Sequence, residues 1–343
     1  MIPTRNLSRI LYFILGSCFF YTSSLAGYPF SVLTLNAWTV PLISKHISKR
    51  LELMPQLLSE TQADLIVMQE VWLDRYRDNL IQNFKKRGYL YSAFGNPCAA
   101  WKESWGLRGF LGNGLLVLSK YPLSSPEIMK FSEYTRKEEY ITYKGSIYVQ
   151  VQIPHLGWID LFVSHLGAHQ TVLKNQIADS FHVDDLRKKL IQAKELQKFI
   201  IQMRKSEIVL LVADLNTHYF ELMNGNYDSK NFSSVLTLFT SFDRETPSNG
   251  LDFKDTFVYC NGLLDHHSGC SPYTYDTQKN EYAREGVFAL EPPGVNDYIM
   301  INDINHMQPV QSNVLFTEKL SETDEPIYLS DHFGLKTDFE INK

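Results

Sequence analysis

A short motif near the end of the sequence decides the fold: Tyr328-Leu-Ser-Asp-His-Phe-Gly-Leu335. It places serine, aspartate and histidine directly before the last apolar run, an unusual position for reactive side chains. Four other motifs precede it in order, and each ends an apolar run that is typical of a buried strand. They are Leu35-Asn-Ala-Trp38, Met68-Gln-Glu-Val-Trp72, Ser164-His-Leu166 and Ala213-Asp-Leu-Asn216. Polar groups at strand ends build a site at one edge of a rigid sheet, so the pattern favours an enzyme.

The remaining sequence alternates helical and strand patterns early and is dominated by strands and loops later. Apolar residues recur at helical spacing in Lys45–Glu60, where Pro55 predicts a kink or a break, and Asp74–Arg87 is a second helical pattern. A third helix, Asp184–Met203, has one apolar stripe with basic residues on the other face. Strands are predicted at Ser31–Leu35, Asp64–Gln69, Gly112–Ser119, Gly145–Ile153, Trp158–Ser164, Glu207–Ala213, Tyr298–Ile301 and Gly334–Ile341. A two-layered β-sandwich flanked by helices fits this order.

The ordered motifs together resemble the endonuclease/exonuclease/phosphatase superfamily, and within it the magnesium-dependent neutral sphingomyelinases. The likeness covers most of residues 31–341. Its longer segments are Leu35–His46, Gln69–Trp72, Gly112–Pro122, Lys144-Gly145, Arg187 with Gln192–Leu196, and Ser330–His332. The resemblance implies an α+β fold of the DNase I-like type. This fold is a four-layer α/β sandwich, in which two packed mixed β-sheets are flanked by helices.

Length, charge and composition limit the class of partner. The chain has 343 residues, a net charge of −5 and a pI near 6.1. This mild acidity argues against a protein that relies on non-specific phosphate contacts, so no nucleic-acid partner is expected. The aromatic share of 13% fits an ordinary large core, or an aromatic surface that meets lipid. We expect a monomer.

The first residues have the three parts of a secretory signal peptide. Arg5 and Arg9 are basic, Ile10–Phe20 is apolar, and Ser24-Leu-Ala26 supplies small residues for cleavage. The apolar run is too short to cross the ~30 Å hydrocarbon layer of a bilayer. The sequence therefore predicts a signal peptide over residues 1–26, a secreted protein, and a single catalytic domain over residues 27–343.

Three cysteines would remain after cleavage, at Cys98, Cys260 and Cys270. Cys260 and Cys270 could pair in an oxidising compartment, or all three thiols could be free. Because the sequence has no CxxC motif, a metal site built from thiolates is not expected.

A phosphodiester resists hydrolysis, and its cleavage needs a cation, charge-stabilising donors and a proton acceptor for water. Glu70 directly follows a buried strand, and the resemblance implies that Glu70 and Asn36 hold Mg²⁺, with Mn²⁺ or Co²⁺ as substitutes. Asp331 would add a water-mediated metal contact or hold its loop. By position alone, Glu70 could be a solvated side chain and Asn36 a turn residue.

His332 is the candidate general base, because imidazole titrates near neutral pH. The resemblance implies that Asp297 orients its ring and that Asp214 positions or activates water. It also implies that Asn216 contacts the phosphate, and that His165 donates to the phosphate or the leaving oxygen. Residues two apart in a strand point to the same side, so Asp214 and Asn216 could converge on one phosphate; the alternative is an Asx turn that ends the strand.

Lys144 precedes a strand and could reach the substrate phosphate, or be a solvated lysine. The sequence departs from the family pattern at two positions. Ala213 stands where glycine is usual, which asks the backbone to avoid a conformation that only glycine adopts. Val295 stands where an arginine is frequent, two residues before Asp297.

The resemblance implies a Mg²⁺-dependent phosphodiesterase that cleaves sphingomyelin to ceramide and phosphocholine, and the first 26 residues predict that it is secreted. The alternatives are a related nuclease or inositol-phosphate phosphatase, and a non-catalytic membrane-binding protein that keeps the fold. The aromatic, glycine-punctuated segment Trp101–Leu111 would contact the membrane surface, or cover the core as a buried loop.

Overall fold

The computed structural model describes residues 27–95, 111–135, 141–168, 178–223, 226–240, 251–262, 273–284, 293–320 and 325–342. The predicted signal peptide therefore lies outside the described residues. Within these ranges, no helix combines the length and the apolar character that crossing a bilayer requires.

The eight predicted strands and three predicted helices occur along the described chain in the predicted order, together with six further strands and one further helix. They are β1 (Tyr28–Asn36), α1 (Ile47–Glu60), β2 (Leu65–Gln69), α2 (Asp74–Lys85), β3 (Tyr91–Phe94), β4 (Leu116–Ser119), β5 (Glu127–Lys130), β6 (Gly145–Ile153), β7 (Gly157–His165), α3 (Ala178–Met203), β8 (Val209–Asp214), β9 (Phe220–Met223), β10 (Asn226–Phe232), β11 (Lys254–Asp255), α4 (Thr256–Asn261), β12 (Asp297–Ile301), β13 (Met307–Leu315) and β14 (Gly334–Ile341).

Two six-stranded sheets carry the fold. The first has the order β13-β14-β1-β2-β4-β3 and the second has the order β11-β12-β8-β7-β6-β5. Strands β1 and β2 are parallel, as are β7 and β8, and the other neighbours within these sheets are antiparallel. Both sheets are therefore mixed, as predicted.

The two sheets pack face to face through their apolar side chains. Val32 and Val67 of the first sheet and Leu161 and Leu210 of the second belong to one buried cluster between them. Helices α1 and α2 cover the outer face of the first sheet, and α3 covers the outer face of the second. The four layers confirm the predicted fold class.

Strand register brings the predicted site residues to one edge of the sandwich. In the first sheet, Asn36 at the end of β1 lies opposite Gln69 at the end of β2. In the second sheet, Asp214 at the end of β8 lies opposite His165, which ends β7, and opposite Asp297, which begins β12. Because parallel strands end together and an antiparallel neighbour begins there, the polar residues meet at a single edge.

Helix α1 runs without a break through Pro55. A proline inside a helix removes one backbone hydrogen bond and clashes with the preceding turn. Here Leu51, Met54 and Leu58 are buried on the same helix and anchor both sides of Pro55 to the first sheet. Tertiary packing therefore holds the helix together, and the predicted break is absent.

Arg50, also in α1, is fully buried and ties two loops of the site edge together. Its guanidinium donates four hydrogen bonds to backbone carbonyls in the loop after β1 and in the loop before β14. The acceptors are the carbonyls of Ala37 at 2.7 Å, Trp38 at 2.6 Å, Lys45 at 2.9 Å and Leu329 at 3.2 Å. Burial lowers the pKa of Arg50 to about 10, so the side chain stays charged at neutral pH.

Replacing Arg50 by methionine tests whether these hydrogen bonds stabilise the two loops. Arg50→Met keeps an apolar stem but leaves four buried carbonyls without their donor, so we expect the free energy of unfolding to fall by about 3 kcal/mol. Urea denaturation of the variant and the parent chain measures the difference. The control Lys49→Met changes the neighbouring side chain, which is 46% exposed, and should cost less than about 0.5 kcal/mol. Equal losses in the two variants would contradict the bracing role.

Candidate functional site

Asp214 lies at the centre of the candidate site and is fully buried. Its Oδ2 accepts a hydrogen bond from Asn36 Nδ2 at 2.9 Å. The same oxygen lies 3.5 Å from His165 Nε2 and 3.9 Å from His332 Nε2. Burial raises the pKa of Asp214 to about 6, and the nearby Asp297 carboxylate adds to the shift. One carboxylate therefore contacts or faces residues from both sheets.

His332 and Asp297 form a buried pair beside Asp214. His332 Nδ1 lies 2.8 Å from Asp297 Oδ2, which fixes the ring and leaves Nε2 facing Asp214. The ring of Tyr275 packs at 4.9 Å against the imidazole. Burial alone would lower the pKa of His332, but the facing carboxylates of Asp297, Asp214 and Asp331 raise it well above its usual value. The structure thus brings together the histidine and the aspartate that the sequence paired.

Glu70 begins the loop after β2 in a left-handed conformation, with φ of 57°. This conformation is uncommon for a residue other than glycine and persists only where neighbours enforce it. Thr39 supplies that restraint, because its backbone N–H and its hydroxyl both donate to the Glu70 carbonyl. The turn directs the Glu70 carboxylate toward Asn36 Nδ2, at 3.2 Å, and toward Trp72 Nε1, at 3.4 Å.

Asp331 approaches the same region from the loop before β14. The hydroxyl of Ser330 donates to the Asn36 carbonyl at 2.6 Å and lies 3.2 Å from Asp331 Oδ1. Burial raises the pKa of Asp331 to about 7. The negative charge of Glu70 also raises this pKa, whereas the charge of His332 lowers it. Glu70, Asn36 and Asp331 therefore form one acidic, oxygen-rich side of the site, which we call the acidic pole.

Lys144 and His165 form a second group of side chains beside Asp214. Lys144 is buried, with Nζ 2.9 Å from His165 Nε2 and donating to the Leu166 carbonyl at 2.9 Å. The Lys144 amine can donate to Nε2 of His165, and Nδ1 of the ring is buried without a hydrogen-bond partner among the described residues. Burial lowers the pKa of His165 well below its usual value, and the charge of Lys144 acts in the same direction. Lys144 is therefore a buried site residue and not a solvated lysine.

Asn216 lies beyond the end of β8, in a left-handed conformation with φ of 47°. Its backbone N–H donates to Asp214 Oδ1 at 2.9 Å, and its Nδ2 donates to the Leu166 carbonyl at 3.1 Å. The prediction that strand alternation aligns Asp214 and Asn216 is therefore wrong. An Asx turn brings them together instead, because asparagine tolerates the left-handed region.

Two buried cations were missed by the sequence interpretation. Lys189 of α3 is fully buried and donates to the Asn216 carbonyl, so the basic residues of this helix are not all on its outer face. The sequence nevertheless indicates this burial through the position of the lysine on the helix. Lys189 is three residues after Leu186 and four before Ala193, within the apolar stripe, and Arg50 occupies an equivalent position in α1. A charged residue on an apolar stripe indicates a buried partner.

The two departures from the family pattern are accommodated locally. Ala213 lies within β8, is fully buried, and does not need a positive φ. Val295 is also buried, and its carbonyl accepts a hydrogen bond from the Tyr298 hydroxyl at 2.9 Å.

Two predictions fall largely outside the described residues. In the segment Trp101–Leu111, only Leu111 is described, and it is buried. Cys260 is a half-buried free thiol, whereas Cys270 is not among the described residues. The membrane role of the segment therefore stays a prediction.

Two groups of side chains have the chemistry to hold a cation. Ligand atoms of Asp214, Asp297 and His332 lie within 4.8 Å of one another. In that group, however, His332 Nδ1 already bonds to Asp297. The acidic pole fits a hard cation better, because it supplies only carboxylate and amide oxygens, the donors that Mg²⁺ prefers. Asn36 presents Nδ2 to Glu70 and Asp214, and its Oδ1 accepts from the Trp38 backbone N–H at 3.0 Å. The amide would have to turn over and give up these bonds before its oxygen could hold a cation beside Glu70.

Curated proteins with similar sequences include two that act on sphingolipids by name. The chain is 29% identical to sphingomyelin phosphodiesterase 2 of Homo sapiens over 194 residues, which are 54% of this chain and 41% of that protein. It is 25% identical to the inositol phosphosphingolipids phospholipase C of Schizosaccharomyces pombe over 329 residues, which are 90% of this chain and 68% of that protein. The match to the human protein spans less than half of its length.

Solved structures share the fold at low sequence identity. A beta toxin variant from Staphylococcus aureus with bound magnesium ions aligns with a TM-score of 0.55 and 16% identity, covering 92% of this chain and 100% of that one. The TDP2 of D. rerio complexed with a single-strand DNA product aligns with a TM-score of 0.56 and 17% identity, covering 91% and 99%. The sequence model of the endonuclease/exonuclease/phosphatase family matches residues 33–332. The chain therefore belongs to the endonuclease/exonuclease/phosphatase family.

Proposed function

We propose that this chain is a Mg²⁺-dependent phosphodiesterase that hydrolyses sphingomyelin to ceramide and phosphocholine. Family membership indicates hydrolysis of a phosphoester. The observation that carries the proposal is the meeting, at Asp214, of an oriented histidine with an oxygen-rich acidic pole. The sphingolipid substrate is supported by the names of the similar human and yeast proteins.

In this proposal the neutral form of His332 takes the proton from the attacking water. The carboxylates that raise the pKa of His332 favour its charged form, and the charge of a cation held at the acidic pole would oppose that effect. Its Nε2 is the ring nitrogen that faces the site, because Nδ1 is bonded to Asp297. The Asp297 carboxylate also stabilises the imidazolium that forms after proton transfer. Asp214 Oδ2 lies close enough to His332 Nε2 to accept from a water held between them.

The substrate phosphate would lie between the acidic pole and the side of the site that contains Lys144. The Lys144 ammonium and the His165 ring are buried, so their charge and dipole act in a medium of low dielectric. Asn216 is held within reach of the same space by its bond to the Leu166 carbonyl. These groups would stabilise the negative charge that grows on the phosphoryl oxygens.

Glu70, Asn36 and Asp331 would hold the Mg²⁺ ion. When bound, the ion supplies positive charge to a phosphoryl oxygen and to the leaving alkoxide. The donor set is compatible with it, because no sulfur and no imidazole belongs to the acidic pole.

The second candidate function is that of a nuclease of the same family, because the fold alone does not distinguish lipid from nucleic-acid substrates. The net charge of −5 favours the lipid. Incubation of the protein with Mg²⁺ and separate samples of sphingomyelin, lysophosphatidylcholine, phosphatidylcholine and plasmid DNA distinguishes the candidates. Release of phosphocholine from sphingomyelin is the expected result, and cleavage of DNA alone would overturn the proposal.

We also propose that residues 1–26 direct secretion and that Trp101–Leu111 contributes to membrane contact. The basic, apolar and small-residue order of the first segment and the aromatic content of the second support these proposals. Sequencing the amino terminus of protein recovered from culture medium tests the first, with cleavage expected near Ala26.

Glu70→Gln tests the acidic pole. The substitution keeps the shape of the side chain and removes its charge, so turnover at low Mg²⁺ should fall by roughly 10²-fold or more, while the melting temperature changes little. Turnover is measured against Mg²⁺ concentration for the variant, the parent chain and the control Glu60→Gln. Glu60 is exposed at the end of α1. Near-normal turnover of Glu70→Gln at low Mg²⁺ would remove Glu70 from the metal site.

A double-mutant cycle tests the His332–Asp297 pair. His332→Ala should lower kcat by about 10²- to 10⁴-fold, because it removes the general base. Once His332 is absent, the ring that Asp297 orients is gone, so adding Asp297→Asn should cost little more. Measured losses that simply multiply would mean that the two residues act separately. His306→Ala is the matched control, since His306 lies 2.7 Å from Asp303 in an exposed pair.

A further inference from the structure

The loop between β1 and α1 starts at the acidic pole and ends in an apolar tip. We call residues 39–46 the tip loop. Its base is fixed to the site, because Thr39 donates twice to the Glu70 carbonyl and its hydroxyl accepts from the Trp72 backbone at 3.3 Å. The far end of the loop is tied to α1 by the bond from Arg50 to the Lys45 carbonyl. Any surface that the tip contacts is therefore positioned relative to Asn36 and Glu70.

Two adjacent large apolar residues project from this loop. Leu42 is fully exposed, at 105% of its reference area, and Ile43 is 66% exposed. Among the described residues, these are the two most exposed large apolar side chains. Single exposed apolar residues are ordinary, but two in sequence at a loop tip beside a candidate active site indicate a contact surface.

The tip is held in a definite shape. The backbone N–H groups of Ile43 and Ser44 donate to the Val40 carbonyl, and the Ser44 hydroxyl accepts from the Val40 N–H at 2.9 Å. Leu42 takes a left-handed conformation with φ of 67°, which is unfavourable for a leucine. This backbone strain costs free energy, and the exposed side chain of Leu42 adds no buried contact that would stabilise the fold. Strain of this kind is typical of functional positions.

Basic residues follow the apolar tip directly. Lys45, His46 and Lys49 are exposed, and Lys49 has Glu52 at 3.5 Å as a solvated partner. An apolar tip with a cationic border matches the interface of a bilayer, where acyl chains lie beneath headgroups that include anionic lipids.

We propose that the tip loop is a membrane anchor, which inserts Leu42 and Ile43 into the outer part of a bilayer. The proposal rests on the proposed function to the extent that the substrate is a membrane lipid. Insertion beside Asn36 and Glu70 would set the acidic pole against the headgroup layer, where the phosphodiester of the lipid lies. A second copy of the chain fits less well, because two side chains cover far less than the ~800 Å² per partner of a stable protein interface.

Vesicle binding tests the anchor separately from catalysis. The full chain is mixed with phosphatidylcholine vesicles containing phosphatidylserine but no sphingomyelin, and bound protein is measured by sedimentation. The double variant Leu42→Ser, Ile43→Ser should bind at least roughly tenfold more weakly, because two apolar side chains no longer leave water. Its melting temperature and its hydrolysis of a water-soluble phosphocholine ester should match those of the parent chain.

The matched control is Ile201→Ser, which removes an apolar side chain that is 44% exposed. Ile201 lies near the end of α3, on the side of the second sheet where β8 begins and away from Asp214. A further variant, Leu42→Trp, should bind more strongly and show fluorescence quenching by brominated lipids.

Three results would overturn the anchor. The first is vesicle binding by the serine double variant that equals that of the parent chain. The second is an equal loss in Ile201→Ser. The third is a sedimentation-velocity shift from dimer to monomer in the serine double variant, which would assign the tip to a second copy. If the parent chain binds vesicles through the tip but leaves sphingomyelin intact, the anchor stands and the proposed substrate is wrong.

Discussion

The buried carboxylate of Asp214 is the constraint on which the rest of the site depends. A carboxylate with no exposed surface needs compensating partners, and its raised pKa of about 6 shows that the protein supplies them only in part. The partners come from both sheets: the Asn36 amide of the first sheet donates to Oδ2, and the Asn216 backbone N–H, which follows β8 of the second sheet, donates to Oδ1. The two sheets must therefore keep their relative position for this carboxylate to remain stable, which links the packing of the sandwich to the geometry of the site.

Much of this arrangement could be predicted from the sequence, because strand ends are visible as apolar runs that stop at a polar residue. Asn36, His165 and Asp214 were placed at one edge in this way. The loops were harder, since a left-handed residue such as Asn216 leaves no periodic signal. The prediction of a break at Pro55 is wrong for a different reason. Packing of α1 against the first sheet outweighs the local backbone preference of proline.

The buried cations explain why composition alone is a poor guide to this site. Arg50 and Lys189 are fully buried, yet in the sequence they are two of 33 basic residues in an acidic chain. Each donates to backbone carbonyls of a loop that carries a site residue. Their role follows from three-dimensional hydrogen bonding, which the sequence indicates only through a charged residue at an apolar position of a helix.

Groups of opposite charge line the site. Glu70 and Asp331 belong to the acidic pole, and the buried ammonium group of Lys144 contacts His165. A substrate that contacts both groups should itself carry negative charge next to a cation. A phosphodiester with a bound divalent ion has that distribution, because the ion meets the carboxylates while the remaining phosphoryl charge meets the lysine. The polarity of the site therefore favours phosphoester chemistry independently of sequence similarity.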